Sequence, residues 1–349
     1  MPALDAIVLR SIEPADLIGL ESYLLGAVAS RTARPALVIY AMPARLVSIG
    51  RYHLYDGVDE RGGIAAMRRL TGGRIVGAGE GWLGVALILP TRTSLLAQER
   101  QSLKPEQVMN RYVRGVLVAL RGLGIDCFYP GRDAITRERR EIGACTFETD
   151  ASGAMLFEAM LAVNRGMEDV VHDLERFDPN GAFACPMYGP HNATTVAREV
   201  GREVRFDELV RALIEAYAPV LGEVERRELS HDEAANMRGR SAALKKSGWF
   251  TRRVPDDSRP LVGRVAAQLG AVEAHVGVGP DGKIRNVTMA GDLIANSTGL
   301  SEFENELVGR PLDLASVTRA VEKTYGDGTN YVLGLGELDN LVKLVANAQ

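Results

Sequence analysis

The chain has 349 residues, 46% of them hydrophobic and 25% charged, with a formal net charge of −4 at pH 7. That length suggests two domains and enough apolar surface for a core without disulfide or metal staples. The slight acidity argues against nonspecific nucleic-acid binding, and no apolar run approaches the roughly 18–20 residues that span a bilayer. Cys127, Cys145 and Cys185 are far apart and odd in number, which fits a reducing compartment. The first residues lack a basic segment followed by an apolar one, so a cytoplasmic location is expected, with neither nucleic acid nor membrane as partner.

Leu17, Leu20, Tyr23, Leu24 and Ala27 recur at helical spacing and predict a helix from Ala15 to Ser30. Ala36–Tyr40 and Leu46–Gly50 read as strands joined by a proline-containing turn. Trp82 to Leu89 is apolar at nearly every position, as in a strand covered on both faces. Pro105 to Leu123 reads as an amphipathic helix. Four strands come next: Asp126–Tyr129, Gly131–Thr136, Glu141–Glu148 and Ala154–Asn164. A charged tip, Arg137–Arg140, separates the second from the third, so this section is an antiparallel meander. Helices are expected at Val170–Phe177 and Phe206–Leu221, with an irregular stretch from Asn180 to His191 between them.

Charge dominates from Gly222 to Arg240, and Pro255 and Pro260 interrupt the irregular stretch beyond it. A linker at 226–259 is therefore expected between domains at 1–225 and 260–349. The second domain reads as small and α+β. It has strand-like segments within Gly263–Val278, a turn at Pro280–Lys283, a strand at Ile284–Ala290, and helices at Ser301–Val308 and Leu314–Lys323.

The stretch Met67–Gly81 stands out. Two arginines, Arg68 and Arg69, precede five glycines packed into ten residues from Gly72 to Gly81. Glycine lets backbone approach a ligand closely, and paired arginines offer permanently charged donors for phosphate or carboxylate. A ligand cradle and a glycine-rich hairpin both fit this composition.

At Arg68-Arg69-Leu70-Thr71-Gly72-Gly73 the sequence resembles the lipoate–protein ligase family, whose motif runs Arg-Arg-x-Ser/Thr-Gly-Gly-Gly-x-Val-x-His-Asp. Leu46–His53, Phe128–Ile135, Arg140–Ala144, Glu158–Asn164 and the tail element Gly282–Asp292 resemble further family motifs in the family's order. The resemblance implies an α/β (α+β) fold with a mixed, mainly antiparallel sheet, flanking helices and a small accessory domain. It also implies activation of lipoate by ATP and Mg²⁺ to lipoyl-AMP, then transfer to a lysine of a lipoyl carrier. Such carriers include 2-oxoacid dehydrogenase E2 domains and the glycine-cleavage carrier. On that template Arg69, Arg74 and Asp133 are candidate catalytic residues. Arg68, Gly72, Gly73, Val76, Trp82, Ile142 and Gly143 are candidates for binding the adenylate and acyl chain. A pocket is expected between the glycine stretch and the strand Glu141–Glu148, and side chains filling that space would defeat the expectation.

The departures fall on chemically important positions. Arg74 replaces the third motif glycine, Ala78-Gly79 the His-Asp pair, Asp133-Ala134 an Asn-Asp pair, Glu141 the motif lysine and Glu158 a histidine. A carboxylate where the family has a cation reverses the local charge, which beside a phosphate is repulsive. Only Lys104 precedes residue 245 among the lysines, so Arg74, Arg139, Arg140, Lys245 or Lys246 would have to replace it. Three readings are open: a divergent ligase using one of these cations, an octanoyl or lipoyl transferase with Cys145 as nucleophile, and a non-catalytic homologue that binds a lipoyl group or nucleotide. As a thiolate, Cys145 needs a nearby cation or base, for which Arg140 and His53 are candidates. No protein-bound structural metal is expected, because Cys185 and His191 alone do not make a zinc site.

Overall fold

The computed structural model describes residues 4–56, 60–61, 64–93, 103–166, 168–169, 172, 192–250, 252–255 and 259–349. Its centre is a seven-stranded sheet in the order Val224–Arg227, Leu4–Leu9, Ala36–Tyr40, Trp82–Leu89, Met155–Ala162, Arg140–Thr149, Ala134–Arg137. The first two junctions are parallel and the other four antiparallel. Alternation divides each strand between two cores. Leu37, Ile39, Val85 and Leu87 meet the helices Pro105–Gly122 and Phe206–Leu221 on one face. Val38, Tyr40, Ala86 and Ile88 meet the helix Pro14–Ala29 and a second sheet on the other. Both faces of Trp82–Leu89 are thus covered, as its unbroken apolar run predicts.

The second sheet has four strands, ordered Glu60–Arg61, Ile64–Arg68, Arg45–Ile49, Val76–Gly79. Ala36–Tyr40 and Arg45–Ile49 are therefore not hairpin partners, because the turn between them carries the chain from one sheet to the other. Arg45–Ile49 pairs in parallel with Ile64–Arg68 and antiparallel with Val76–Gly79. The glycine-rich connection between those flanks must cross the C-terminal end of Arg45–Ile49.

The meander holds, with a tight tip at Glu138 and Arg139, both at positive φ. Asp126–Tyr129 is reduced to one isolated bridge, Phe128 to Thr136. Val170–Phe177 and Asn180–His191 fall almost wholly outside the described residues. The expected boundary between 225 and 226 cuts the strand Val224–Arg227, and the expected linker contains the helix His231–Lys246, which packs along Pro14–Ala29.

The C-terminal part is a three-stranded antiparallel sheet, Leu261–Ala266, Ala271–Val278 and Ile284–Gly291, under three helices. These are Ser297–Leu307, Leu314–Tyr325 and Leu338–Ala346. Its core includes Val272, Val276, Met289, Phe303 and Leu341, and it takes in Tyr52 from the larger part. Among the described residues no helix is long and apolar enough to cross a membrane.

Candidate functional site

Arg69 leaves the end of Ile64–Arg68 and turns back beneath its own loop. Its guanidinium donates to the carbonyls of Ser48 at 3.0 Å, Gly72 at 2.6 Å and Arg74 at 2.6 Å, and to Thr71 Oγ1 at 3.2 Å. These bonds make Arg69 a strut that sets the loop's path. The close approach at Gly72 serves the C-terminal part, since a Cβ there would lie 2.3 Å from the Leu293 carbonyl oxygen. Gly73 donates its N–H to that same oxygen at 2.7 Å. The cradle's backbone is thus docked on Leu293.

Arg74 projects the other way, between the loop and the strand Arg140–Thr149. It is 1% exposed. Its Nε donates to Asp133 Oδ2 at 2.6 Å and its Nη2 to Glu141 Oε1 at 2.7 Å. The space left is about 20 Å³, walled by Arg69, Val76, Ala144, Cys145, Glu158 and Met160. That is room for about one water. The expectation of an open ligand pocket here is overturned, because side chains fill it, Arg74 foremost.

Burial, with Asp133 adding and Arg74 opposing, pushes the Glu141 carboxyl up to about 7. Glu158 accepts a hydrogen bond from the Thr71 hydroxyl. Burial raises its pKa as well, against the pull of Arg69. Behind it lies Glu21, wholly buried, with neither carboxylate oxygen hydrogen-bonded among the described residues. Burial and then Glu158 push its carboxyl well above the ordinary carboxylate range, against the pull of Arg69. At full ionisation of the rest, two arginines face the three carboxylates of Asp133, Glu141 and Glu158. Glu21 is the member that sequence reasoning missed; its one signal is a glutamate on the apolar face of Leu17, Leu20 and Leu24.

The remaining candidates divide. Val76 lines the residual space. Trp82 belongs to the core, and its indole N–H has no partner among the described residues. Ile142 joins the core under Pro105–Gly122, and Gly143 follows it at a bulge. Arg68 points away, toward the linker side. Cys145 is 2% exposed, and burial pushes its thiol well up, the opposite of an activated nucleophile. Its possible activators are engaged elsewhere: Arg140 with Glu199 at 3.0 Å, and His53 with Asp292 at 3.2 Å. Lys245 and Lys246 stay exposed on the helix His231–Lys246. Among the described residues no group of three His, Cys, Asp or Glu side chains is placed to hold a metal ion. Neither lipoate nor its adenylate fits a 20 Å³ space bounded by these carboxylates.

The two-sheet core with its appended domain is the fold of lipoate–protein ligases. LipL1 of Plasmodium falciparum, solved in complex with lipoate, superposes with a TM-score of 0.68 at 13% identity, covering 98% of this chain and 99% of that one. A bi-partite lipoate protein ligase of Thermoplasma acidophilum, studied with its E2 lipoyl domain, gives 0.55 at 16%, covering 74% and 99%. A lipoate-protein ligase A bound with ATP gives 0.52 at 18%, covering 69% and 95%. The model of the lipoyl protein ligase A/B catalytic domain matches residues 13–218, more than half the chain, so the chain belongs to that family. No curated protein sequence is significantly similar to it.

Proposed function

We propose that this chain works in protein lipoylation as a binding partner of a lipoyl carrier domain, with its own acyl-adenylate centre shut. Family membership supports the lipoylation setting, and the T. acidophilum ligase, studied with an E2 lipoyl domain, supports a carrier as partner. The observation that carries the proposal is the Arg74–Asp133–Glu141 cluster, which fills the slot. The family's lysine would add a cation at this strand. Glu141 adds a carboxylate, and Arg74 is taken up in neutralising it. An anionic acyl phosphate would then meet a carboxyl group where the family supplies a cation. ATP-dependent activation of lipoate, with Mg²⁺, by the unmodified chain is therefore not expected, and burial of Cys145 opposes the transferase reading.

Mass spectrometry of a lipoyl carrier domain tests this. Incubation with lipoate, ATP and Mg²⁺ should leave the carrier unmodified, as should an octanoyl carrier donor without ATP, while the carrier still binds the chain. The double variant Arg74→Gly with Glu141→Lys, which empties the slot and restores the strand cation, should gain lipoate binding. A lipoylated carrier from the unmodified chain, lost with Arg74→Ala, would overturn the proposal in favour of ligation. ATP-independent transfer lost with Cys145→Ala would overturn it in favour of the transferase.

A further inference from the structure

A second cavity, about 300 Å³, lies where the two domains and the linker meet. Its walls include Arg51, Arg68, Arg252, Arg253, Trp249 and Glu304. Arg68 is 1% exposed and spends one nitrogen on the carbonyls of Arg51 at 2.9 Å and His53 at 2.7 Å. Its Nε and Nη2 are buried without a hydrogen-bond partner among the described residues. Arg51 lies over the Trp249 ring, 4.9 Å from its centroid. Arg253 donates to the carbonyls of Tyr52 and Met289. Arg252 stands exposed at the rim. The acidic wall residue, Glu304, uses one oxygen on the Met289 N–H at 2.8 Å.

Four guanidinium groups therefore surround a space that has one carboxylate. Crowding like charges and burying an unsatisfied guanidinium are each unfavourable. An anion seated in the cavity lowers both penalties through its charge. The side-by-side N–H groups of a guanidinium edge match two oxygens of one phosphate. The wall also includes Ser297, Leu300 and Ser301 from the first turns of Ser297–Leu307, although the Ser297 N–H is taken by Glu148, so the arginines carry the anion's recognition.

We propose that this interdomain cavity binds the phosphate groups of a small phosphorylated molecule, with Arg68 as the buried anchor and Arg252 as the rim contact. Because the walls come from both domains, the bound anion clamps them together. The inference does not rest on the state of the Arg74 slot.

The test is calorimetric titration and thermal unfolding of the full chain with inorganic pyrophosphate at constant ionic strength. ATP without metal and sodium acetate serve as comparison ligands. Pyrophosphate should bind saturably in the micromolar to low millimolar range and raise Tm, whereas acetate should not. A stronger response to ATP would identify a nucleotide as the source of the phosphate; a stronger response to pyrophosphate would identify an inorganic polyanion. Arg68→Gln should abolish the response. Arg252→Gln, on the exposed rim and harmless to folding, should weaken binding by about fivefold or more, about 1 kcal/mol. Cys145→Ala, in the wall of the acyl slot, should bind pyrophosphate normally, which separates this site from that slot. Absence of saturable binding, an equal response to acetate, or unchanged affinity in Arg252→Gln would overturn the proposal.

Discussion

Positions 74 and 141 exchange the chemistry that the family motif places there. The motif has glycine in the loop and lysine on the strand; this chain has arginine and glutamate. Both departures are legible in the sequence, as is the candidacy of Arg74 to replace the missing cation. What the residues alone do not reveal is its direction. Arg74 faces Glu141 and Asp133 in a buried cluster and consumes the space it was expected to serve. Removing it leaves two buried carboxylates without a counter-charge. Arg74→Met should therefore destabilise the protein by about 3–5 kcal/mol at pH 8. The loss should shrink at pH 5, because Glu141, already pushed up to about 7, takes a proton as the pH falls. Urea denaturation at the two pH values measures this, and an equal loss at both would mean that Arg74 acts through packing rather than charge.

At the scale of elements, periodicity located most of the structure. The alternating and continuous apolar runs became strands, and Pro105–Gly122 and Phe206–Leu221 emerged close to their expected bounds. The assignment of strands to two sheets was not legible, because a short turn serves equally well within a sheet and between sheets. The helix His231–Lys246 was hidden for a different reason. Its fully buried residues are Glu233 and Ser241, and Met237 and Leu244 on that face are only partly buried, so its apolar stripe is thin. Polar and small contacts add to what Met237 and Leu244 hold. Ser230 and Glu233 form a capping box, and Arg227 binds Glu233 through two nitrogens, each at 2.7 Å. It also lies unusually close to Pro14–Ala29, since a Cβ at Gly19 would sit 2.5 Å from the Met237 carbonyl oxygen. Gly19→Val should force the two helices apart at a cost of about 1–3 kcal/mol. Hydrogen exchange would detect this as lost protection across residues 231–246 ahead of the central sheet. Unchanged protection there would mean that the helices have slack to absorb the methyl groups.

The whole molecule is held together at the seam beside the glycine loop, and that seam contains a titrating group. Glu148, at the end of Arg140–Thr149, accepts from the Ser297 N–H at 2.7 Å with one oxygen and from the Tyr52 hydroxyl at 3.1 Å with the other. Tyr52 reaches on to the Ala295 carbonyl, and Phe147 stacks on Tyr331 at 4.9 Å. Burial, opposed by Arg51 and Ser297, pushes Glu148 from 4.5 up to about 7. The folded state then binds a proton that the unfolded state has released between those values. Its stabilising contribution is complete below pH 4.5 and is lost as pH rises through 7, with a slope of at most about 1.4 kcal/mol per pH unit. Glu141 acts in the same direction, so these two groups together make the protein less stable at pH 8 than at pH 5. Glu148→Gln keeps an oxygen for the Ser297 N–H and cannot ionise. Its stability should match the parent near pH 5, exceed it at pH 8, and fall less steeply between them. Glu148→Ala should lose stability at both, because it strands the Ser297 N–H. Thermal unfolding across pH 5 to 8 reads all three proteins. If Glu148→Gln tracks the parent slope, Glu148 is ionised in the seam throughout, and the docking of the C-terminal part is an ion-dipole contact to the helix Ser297–Leu307 rather than a shared proton.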